Sequence, residues 1–151
     1  MNNIKQIEEV IKEQGMLVCT TAGTSMYPML RNRRDTIIVK PYVGRLHKYD
    51  VPFYRSGYRY ILHRIVKVCE DSYVICGDNC ERKEYGITDS QILGVLTGFY
   101  RGSKQISMDS WQYKVYARIA CGMYPVRRLR GMARCVVKKV LHLFRRGKKN
   151  E

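Results

Sequence analysis

The feature that most constrains the fold is a change in hydrophobic period along the chain. Apolar residues at helical spacing predict an amphipathic helix over residues 3–14, ended by Gly15. From residue 16 to residue 100, short β-branched apolar segments are separated by turn-forming residues. This region is therefore expected to form a compact, mostly antiparallel β domain. The predicted strands cover residues 16–21, 36–40, 51–54, 58–68, 72–76 and 91–100.

The helical period returns near the C-terminus and predicts helices over residues 111–120 and 125–146. The second of these has an apolar stripe, and Lys and Arg occupy the rest of its surface. The charge distribution changes at about the same place. Residues 101–151 contain 14 Lys/Arg and 2 Asp/Glu, out of a net charge of +15 for the whole chain. We therefore predict a β domain over 1–100, with its core at 16–100, and a basic helical appendage over 101–151.

A strongly basic amphipathic helix can lie in the plane of an anionic membrane, so residues 125–146 are a candidate membrane-binding segment. The alternative is that both C-terminal helices pack on the β domain and expose a solvated basic face. Binding to nucleic acid would also use Lys and Arg, but the apolar stripe is broader than phosphate binding requires. Nucleic acid is therefore the less favoured partner.

The cysteine spacing does not indicate a metal site. The nearest pair, Cys76 and Cys80, is separated by three residues, and structural zinc sites use two closely spaced ligand pairs. We expect neither a metal nor a cofactor. Residues 1–15 are polar and contain three Glu residues, so we expect no export signal and no membrane anchor. These features predict a cytoplasmic protein, or one peripheral to the inner face of a membrane.

Three short motifs contain residue types suited to acyl transfer. The first is GTSMYPML over residues 23–30, in which a glycine and a proline flank Ser25. A rigid turn of this kind can expose a serine hydroxyl beside backbone N–H groups that stabilise an oxyanion. A serine in a turn can equally be structural.

The second motif is ILHRIV over residues 61–66, in a predicted strand. Alternation would place His63 on an apolar face, where it is either a buried core residue or a general base. The third is Gly77-Asp78-Asn79 after an apolar strand. It reads either as a turn or as the source of a carboxylate that orients the base.

These motifs, in this order, resemble those of the signal peptidase I superfamily of serine peptidases. GTSMYPML is similar to the box that contains the nucleophile, ILHRIV to the general-base box, and CGDN to the Gly-Asp-Asn box. Further similarity lies in RDTIIV at 34–39, KYDVPFYR at 48–55 and ILGVL at 92–96. The resemblance covers residues 16–100. A histidine in the base box is similar to the archaeal and endoplasmic-reticulum branch of the superfamily.

The resemblance implies a serine endopeptidase that cleaves a leader or signal-like peptide after small residues. It implies Ser25 as nucleophile, His63 as base and Asp78 as the orienting acid. Glu84 and Asn79 are possible auxiliary residues, and whether Asp78 or Glu84 orients His63 stays open. The residues expected to bind substrate or the oxyanion are Gly23, Thr24, Met26 and Pro28.

Two other functions remain compatible with the sequence. One is a nucleic-acid-binding or regulatory protein built on the related repressor-type peptidase fold. The other is an inactive relative that binds peptides.

Overall fold

A computed structural model describes the backbone of residues 2–147 and the side chains of residues 7–138. The helices are α1 (Asn2–Gln14), α2 (Trp111–Gly122) and α3 (Tyr124–Gly147). The strands are β1 (Leu17–Thr20), β2 (Asp35–Lys40), β3 (Pro52–Ser56), β4 (Arg59–Leu62), β5 (Arg64–Val68), β6 (Tyr73–Cys76), β7 (Glu84–Ile87), β8 (Ile92–Arg101) and β9 (Lys104–Ser107). The prediction of a mainly antiparallel β domain with one N-terminal helix and two C-terminal helices is confirmed.

The strands form two antiparallel sheets. The larger has the order β1-β2-β8-β3-β4, with β9 paired to the end of β8. The smaller has the order β5-β6-β7. Strand β8 organises the larger sheet because its ten residues pair with β2, β3 and β9. Strands β1 and β4 lie at opposite ends of the path, so each has one edge that is not paired within the sheet.

The single strand predicted over residues 58–68 is wrong. It divides at His63 into β4, which pairs with β3 in the larger sheet, and β5, which pairs with β6 in the smaller sheet. Both halves have the composition of a strand, so the sequence pattern does not mark the point where the chain changes sheets. His63 therefore lies at the junction between the two sheets.

Two strands were not predicted from the sequence. Strand β7 contains Gly86 at a φ of 72°, and β9 (KQIS) has a single large apolar residue. Neither has the alternation that identifies a half-buried strand. Both are stabilised by pairing with a neighbour, β7 with β6 and β9 with β8.

The hydrophobic core has two parts, and the smaller part contains residues of both sheets. The larger part includes residues of α1 and α2 together with the strands of the larger sheet, and the smaller part surrounds Tyr54, Ile65 and Tyr73. From α2, Tyr113 and Ala117 are buried in the larger part. The predicted domain boundary at residue 100 therefore does not match the packing of the chain. The β8–β9 hairpin crosses it, and α2 belongs to the same folded unit as the strands.

Helix α3 differs from α2 because its described apolar side chains are exposed. Across residues 2–147, no helix combines the length and the apolar character that spanning a bilayer would require.

Candidate active site

The imidazole of His63 is anchored through one of its two nitrogens. His63 lies where β4 ends and β5 begins, and it is buried. Its Nδ1 is 2.8 Å from Oε1 of Glu84, the first residue of β7. The other Glu84 oxygen accepts a hydrogen bond of 2.9 Å from the hydroxyl of Tyr54, which is fully buried in β3. This arrangement fixes the orientation of the ring and directs Nε2 away from the carboxylate.

The Tyr54 hydroxyl is suited to this supporting role because it stays protonated. Burial and the neighbouring Glu84 carboxylate both raise the pKa of Tyr54 well above its ordinary value. The phenol therefore keeps its proton near neutral pH and can donate it to Glu84.

Asp78 has a different partner from the one that the sequence suggested. Its two carboxylate oxygens accept hydrogen bonds from Nε and Nη2 of Arg64, at 2.8 and 2.7 Å. Tyr116 of α2 donates to the same carboxylate at 3.0 Å. The prediction that Asp78 orients His63 is therefore corrected, because the Asp78 carboxylate is bound by Arg64. Of the two alternatives, Glu84 contacts the imidazole and Asp78 forms a buried ion pair beside it.

The Arg64–Asp78 pair is almost entirely removed from solvent, with side-chain exposures of 1% and 3%. Burial by itself would lower the pKa of Arg64, but the hydrogen-bonded Asp78 carboxylate and the Tyr113 hydroxyl raise it above the ordinary value. Arg64 is thus permanently charged, and it also donates to the Tyr49 carbonyl oxygen. Because Arg64 follows His63 directly, this pair fixes the backbone at the junction between the sheets.

The turn after β6 connects this ion pair to the Ser25 loop. The backbone amide of Asn79 donates to the Ser25 carbonyl oxygen at 2.7 Å, and its side-chain amide donates to the Thr24 carbonyl oxygen at 3.2 Å. At Gly77, a Cβ atom would lie 2.7 Å from the Ser25 carbonyl oxygen and 3.0 Å from Cδ2 of His63. Gly77 is therefore the point of close contact between the Ser25 loop and His63, and only glycine fits there.

The residues expected to bind substrate or the oxyanion have separate environments. The Gly23 amide donates to the Asn32 side chain at 2.9 Å, so it is not free to bind an oxyanion. Met26 is buried in the larger core, where it supports the loop from below. Thr24 and Pro28 are exposed, and the Tyr27–Pro28 peptide bond is cis.

Ser25 and His63 line one open cleft of about 580 Å³. Its lining residues come mainly from the end of β1, from the chain between Thr21 and Met26, and from β4, with Ile7, Ile37 and Phe53 beside them. The lining therefore includes two edge strands of the larger sheet, β1 and β4. Backbone groups along an unpaired strand edge can hydrogen-bond an extended peptide.

A thiol lies on the side of the imidazole opposite Glu84. Sγ of Cys80 is 3.9 Å from Nε2 of His63. Burial raises the pKa of Cys80, and burial raises the pKa of its neighbour Cys76 to about 11. Both thiols are therefore protonated and weakly nucleophilic near neutral pH.

Sequence reasoning missed three residues of this network: Tyr54, Arg64 and Tyr116. Each resembles an ordinary strand or helix residue, and its role depends on partners between 14 and 38 positions away along the chain. The one available signal was Arg64 within the apolar segment ILHRIV, since a buried arginine requires a counter-charge.

Among the residues whose side chains are described, no three His, Cys, Asp or Glu side chains gather in a way that could hold a metal ion. No protein-family model, curated protein or solved structure matches this chain.

Proposed function

We propose that this protein is a serine endopeptidase in which Ser25 is the nucleophile, His63 the general base and Glu84 the residue that orients His63. The observation on which the proposal rests is the His63 Nδ1–Glu84 Oε1 contact of 2.8 Å, at a cleft that Ser25 also lines. A carboxylate on one imidazole nitrogen stabilises the tautomer whose other nitrogen accepts a proton, and it stabilises the imidazolium that follows.

The strand edges beside the cleft favour a peptide over a compact small molecule. Residues of the edge strands β1 and β4 line the cleft, so an extended chain can pair with a strand edge and bring one carbonyl to Ser25. This agrees with the resemblance to signal peptidases, which implies cleavage of a leader or signal-like peptide after small residues.

The proposed reaction has two acyl-transfer steps. Nε2 of His63 takes the Ser25 proton while Oγ attacks the scissile carbonyl, which gives a tetrahedral oxyanion. Because the Gly23 amide is committed to Asn32, the amide of Ser25 itself is the candidate oxyanion donor. His63 then protonates the leaving amine, and the acyl-enzyme forms. In the second step a water molecule loses a proton to His63 and attacks the acyl carbonyl. The bond to Ser25 Oγ then breaks, His63 returns the proton to Oγ, and the product is released as a carboxylic acid.

The deciding experiment incubates the purified protein with a library of peptides and maps new N-termini by mass spectrometry. We expect termini that appear with the wild type and are absent with Ser25→Ala and with His63→Ala. Ser103→Ala is the matched control because Ser103 is exposed in the β8–β9 turn, and it should cleave as the wild type does. Equal cleavage by Ser25→Ala would refute the assignment, and no cleavage by a folded wild type would favour a peptide-binding module.

A further inference from the structure

Helix α3 is amphipathic, but its apolar stripe faces solvent, whereas the stripe of a helix that packs on a core faces the protein interior. From Tyr124 to Lys138, the half-buried residues are Tyr124, Arg127 and Gly131, and all the others are exposed. These three follow steps of three and four and so lie on one face, which is the face toward the rest of the protein.

Contacts with the loop between β6 and β7 define this inner face. The Tyr124 hydroxyl donates to the Glu81 carbonyl oxygen at 3.3 Å, and Arg134 forms an ion pair with the Glu81 carboxylate at 3.5 Å. Gly131 lies directly against the same carboxylate. The ammonium of Lys83 lies 4.3 Å from the centroid of the Tyr124 ring. The helix is thus attached to the body through polar and charged groups.

The apolar side chains lie on the outer face. At 100° per residue, their positions cluster on the side of the helix away from Tyr124, Arg127 and Gly131. All of them are more than half exposed, namely Val126 (52%), Leu129 (65%), Met132 (57%), Val136 (59%) and Val137 (56%). An apolar stripe of this length is normally covered by another surface.

The charge of α3 indicates what covers the stripe. Residues 124–147 contain eight Lys/Arg and no Asp or Glu. A second copy of the helix packed on the stripe would bring two such cationic segments together, which is unfavourable. A nucleic acid would use the charges but leave the apolar stripe in water. An anionic membrane surface satisfies both features, since the stripe enters the lipid interface and the arginines beside it meet lipid phosphates.

We propose that the outer face of α3 docks this protein on anionic lipid bilayers. The docking does not depend on catalysis. Its consequence does rest on the proposed peptidase function: the site would then act on precursors close to a membrane. Helix α3 contacts the 77–83 loop, which contains Asn79 and leads into Glu84, so docking places the cleft at a defined distance from the lipid.

The test is co-sedimentation of the full chain with vesicles of phosphatidylcholine alone or of phosphatidylcholine mixed with phosphatidylglycerol. We expect binding to the anionic vesicles only, and weaker binding as salt is added. The double variant Leu129→Gln/Val136→Gln should bind at least about tenfold more weakly, because two apolar side chains no longer enter the interface. Arg128→Gln/Arg130→Gln should weaken binding to anionic vesicles through lost charge, and circular dichroism should show that both variants remain folded.

Two controls keep this result separate from the proposed activity. Val43→Gln replaces a fully exposed valine outside α3 and should bind as the wild type does. Ser25→Ala should also bind as the wild type does, so a failure of the peptidase proposal leaves the docking proposal standing. Docking would be overturned if the wild type stayed in the supernatant with both vesicle types. It would also be overturned if the stripe variants bound normally, if only DNA were bound, or if the stripe proved to be a dimer interface by light scattering.

Discussion

Two carboxylates lie next to the His63–Arg64 dipeptide, and each contacts a different one of its two side chains. The Glu84 carboxylate contacts the His63 imidazole, and the Asp78 carboxylate contacts the Arg64 guanidinium. Glu84 is about one-third exposed, whereas the Asp78 side chain is nearly inaccessible. A charge in water can be removed at little cost to folding, but a buried charge cannot lose its partner without destabilising the protein.

We therefore predict opposite outcomes for the two amide substitutions. Glu84→Gln should lower the rate of peptide cleavage on the order of 10²- to 10⁴-fold, because an amide cannot stabilise the imidazolium, and should change unfolding little. Asp78→Asn should lower the free energy of unfolding by roughly 3 kcal/mol, because Arg64 keeps its charge without a counter-ion. Urea denaturation and cleavage of one mapped peptide measure the two effects. A Glu84→Gln variant that retained wild-type activity would exclude Glu84 from the proposed mechanism.

The connecting turns, more than the strands, bring the site together. Strand β6 ends at Cys76, and the next three residues each make a different contact. Gly77 packs against the Ser25 loop and His63, Asp78 pairs with Arg64, and Asn79 donates to the backbone of the Ser25 loop. The same turn leads to β7 and Glu84. A change in this short segment is therefore expected to displace Ser25 and His63 together.

Gly77→Ala tests this dependence on close packing. The new methyl group would meet the Ser25 carbonyl oxygen and Cys80 Sγ at 2.7 and 2.6 Å, so the Ser25 loop must shift. We expect cleavage to fall by about 10²-fold or more, since a displacement of about 1 Å at a reacting group costs that much. Gly122→Ala, in α2 with open space around it, is the matched control and should keep full activity with unchanged or slightly higher stability. Normal activity in Gly77→Ala would show that the loop adapts without moving Ser25.

At the scale of the whole molecule, α2 joins the basic C-terminal segment to the β domain. Its inner face buries Tyr113, Ala117 and Ala120, and the hydroxyls of Tyr113 and Tyr116 contact Arg64 and Asp78. Its outer face leaves Ile119 largely exposed. The helix therefore closes the core and completes the buried ion pair.

A pair of substitutions on α2 should separate these two faces. Ala117→Arg places a charge in the larger core and should abolish cooperative folding or lower the free energy of unfolding by several kcal/mol, on the order of 3–5. Ile119→Arg, on the exposed face, should change it by less than about 0.5 kcal/mol. Thermal unfolding followed by circular dichroism distinguishes them. Similar stability of both variants would mean that α2 is an appendage, as the charge distribution alone suggested.

The sequence by itself determined the type and order of most elements, because hydrophobic period is a local property of the chain. The helix at 3–14, the strands around 36–40 and 91–100 and the two C-terminal helices could all be identified in this way. Ser25, His63 and Asp78 became candidates because short motifs contain them, whereas Glu84 entered only as a possible auxiliary residue through the resemblance.

Only the tertiary structure decided which of these groups meet. Residues 58–68 are divided between two sheets because their two halves pair with different strands. His63 meets Glu84, and Arg64 meets Asp78, across separations of 21 and 14 residues. The exposure of the α3 stripe likewise depends on contacts with distant parts of the chain. Such choices depend on how whole elements pack and on which buried charges must be paired, and no local window of sequence contains both partners. The burial of Arg64 requires Asp78 as its counter-ion, and Glu84 is then the carboxylate next to His63.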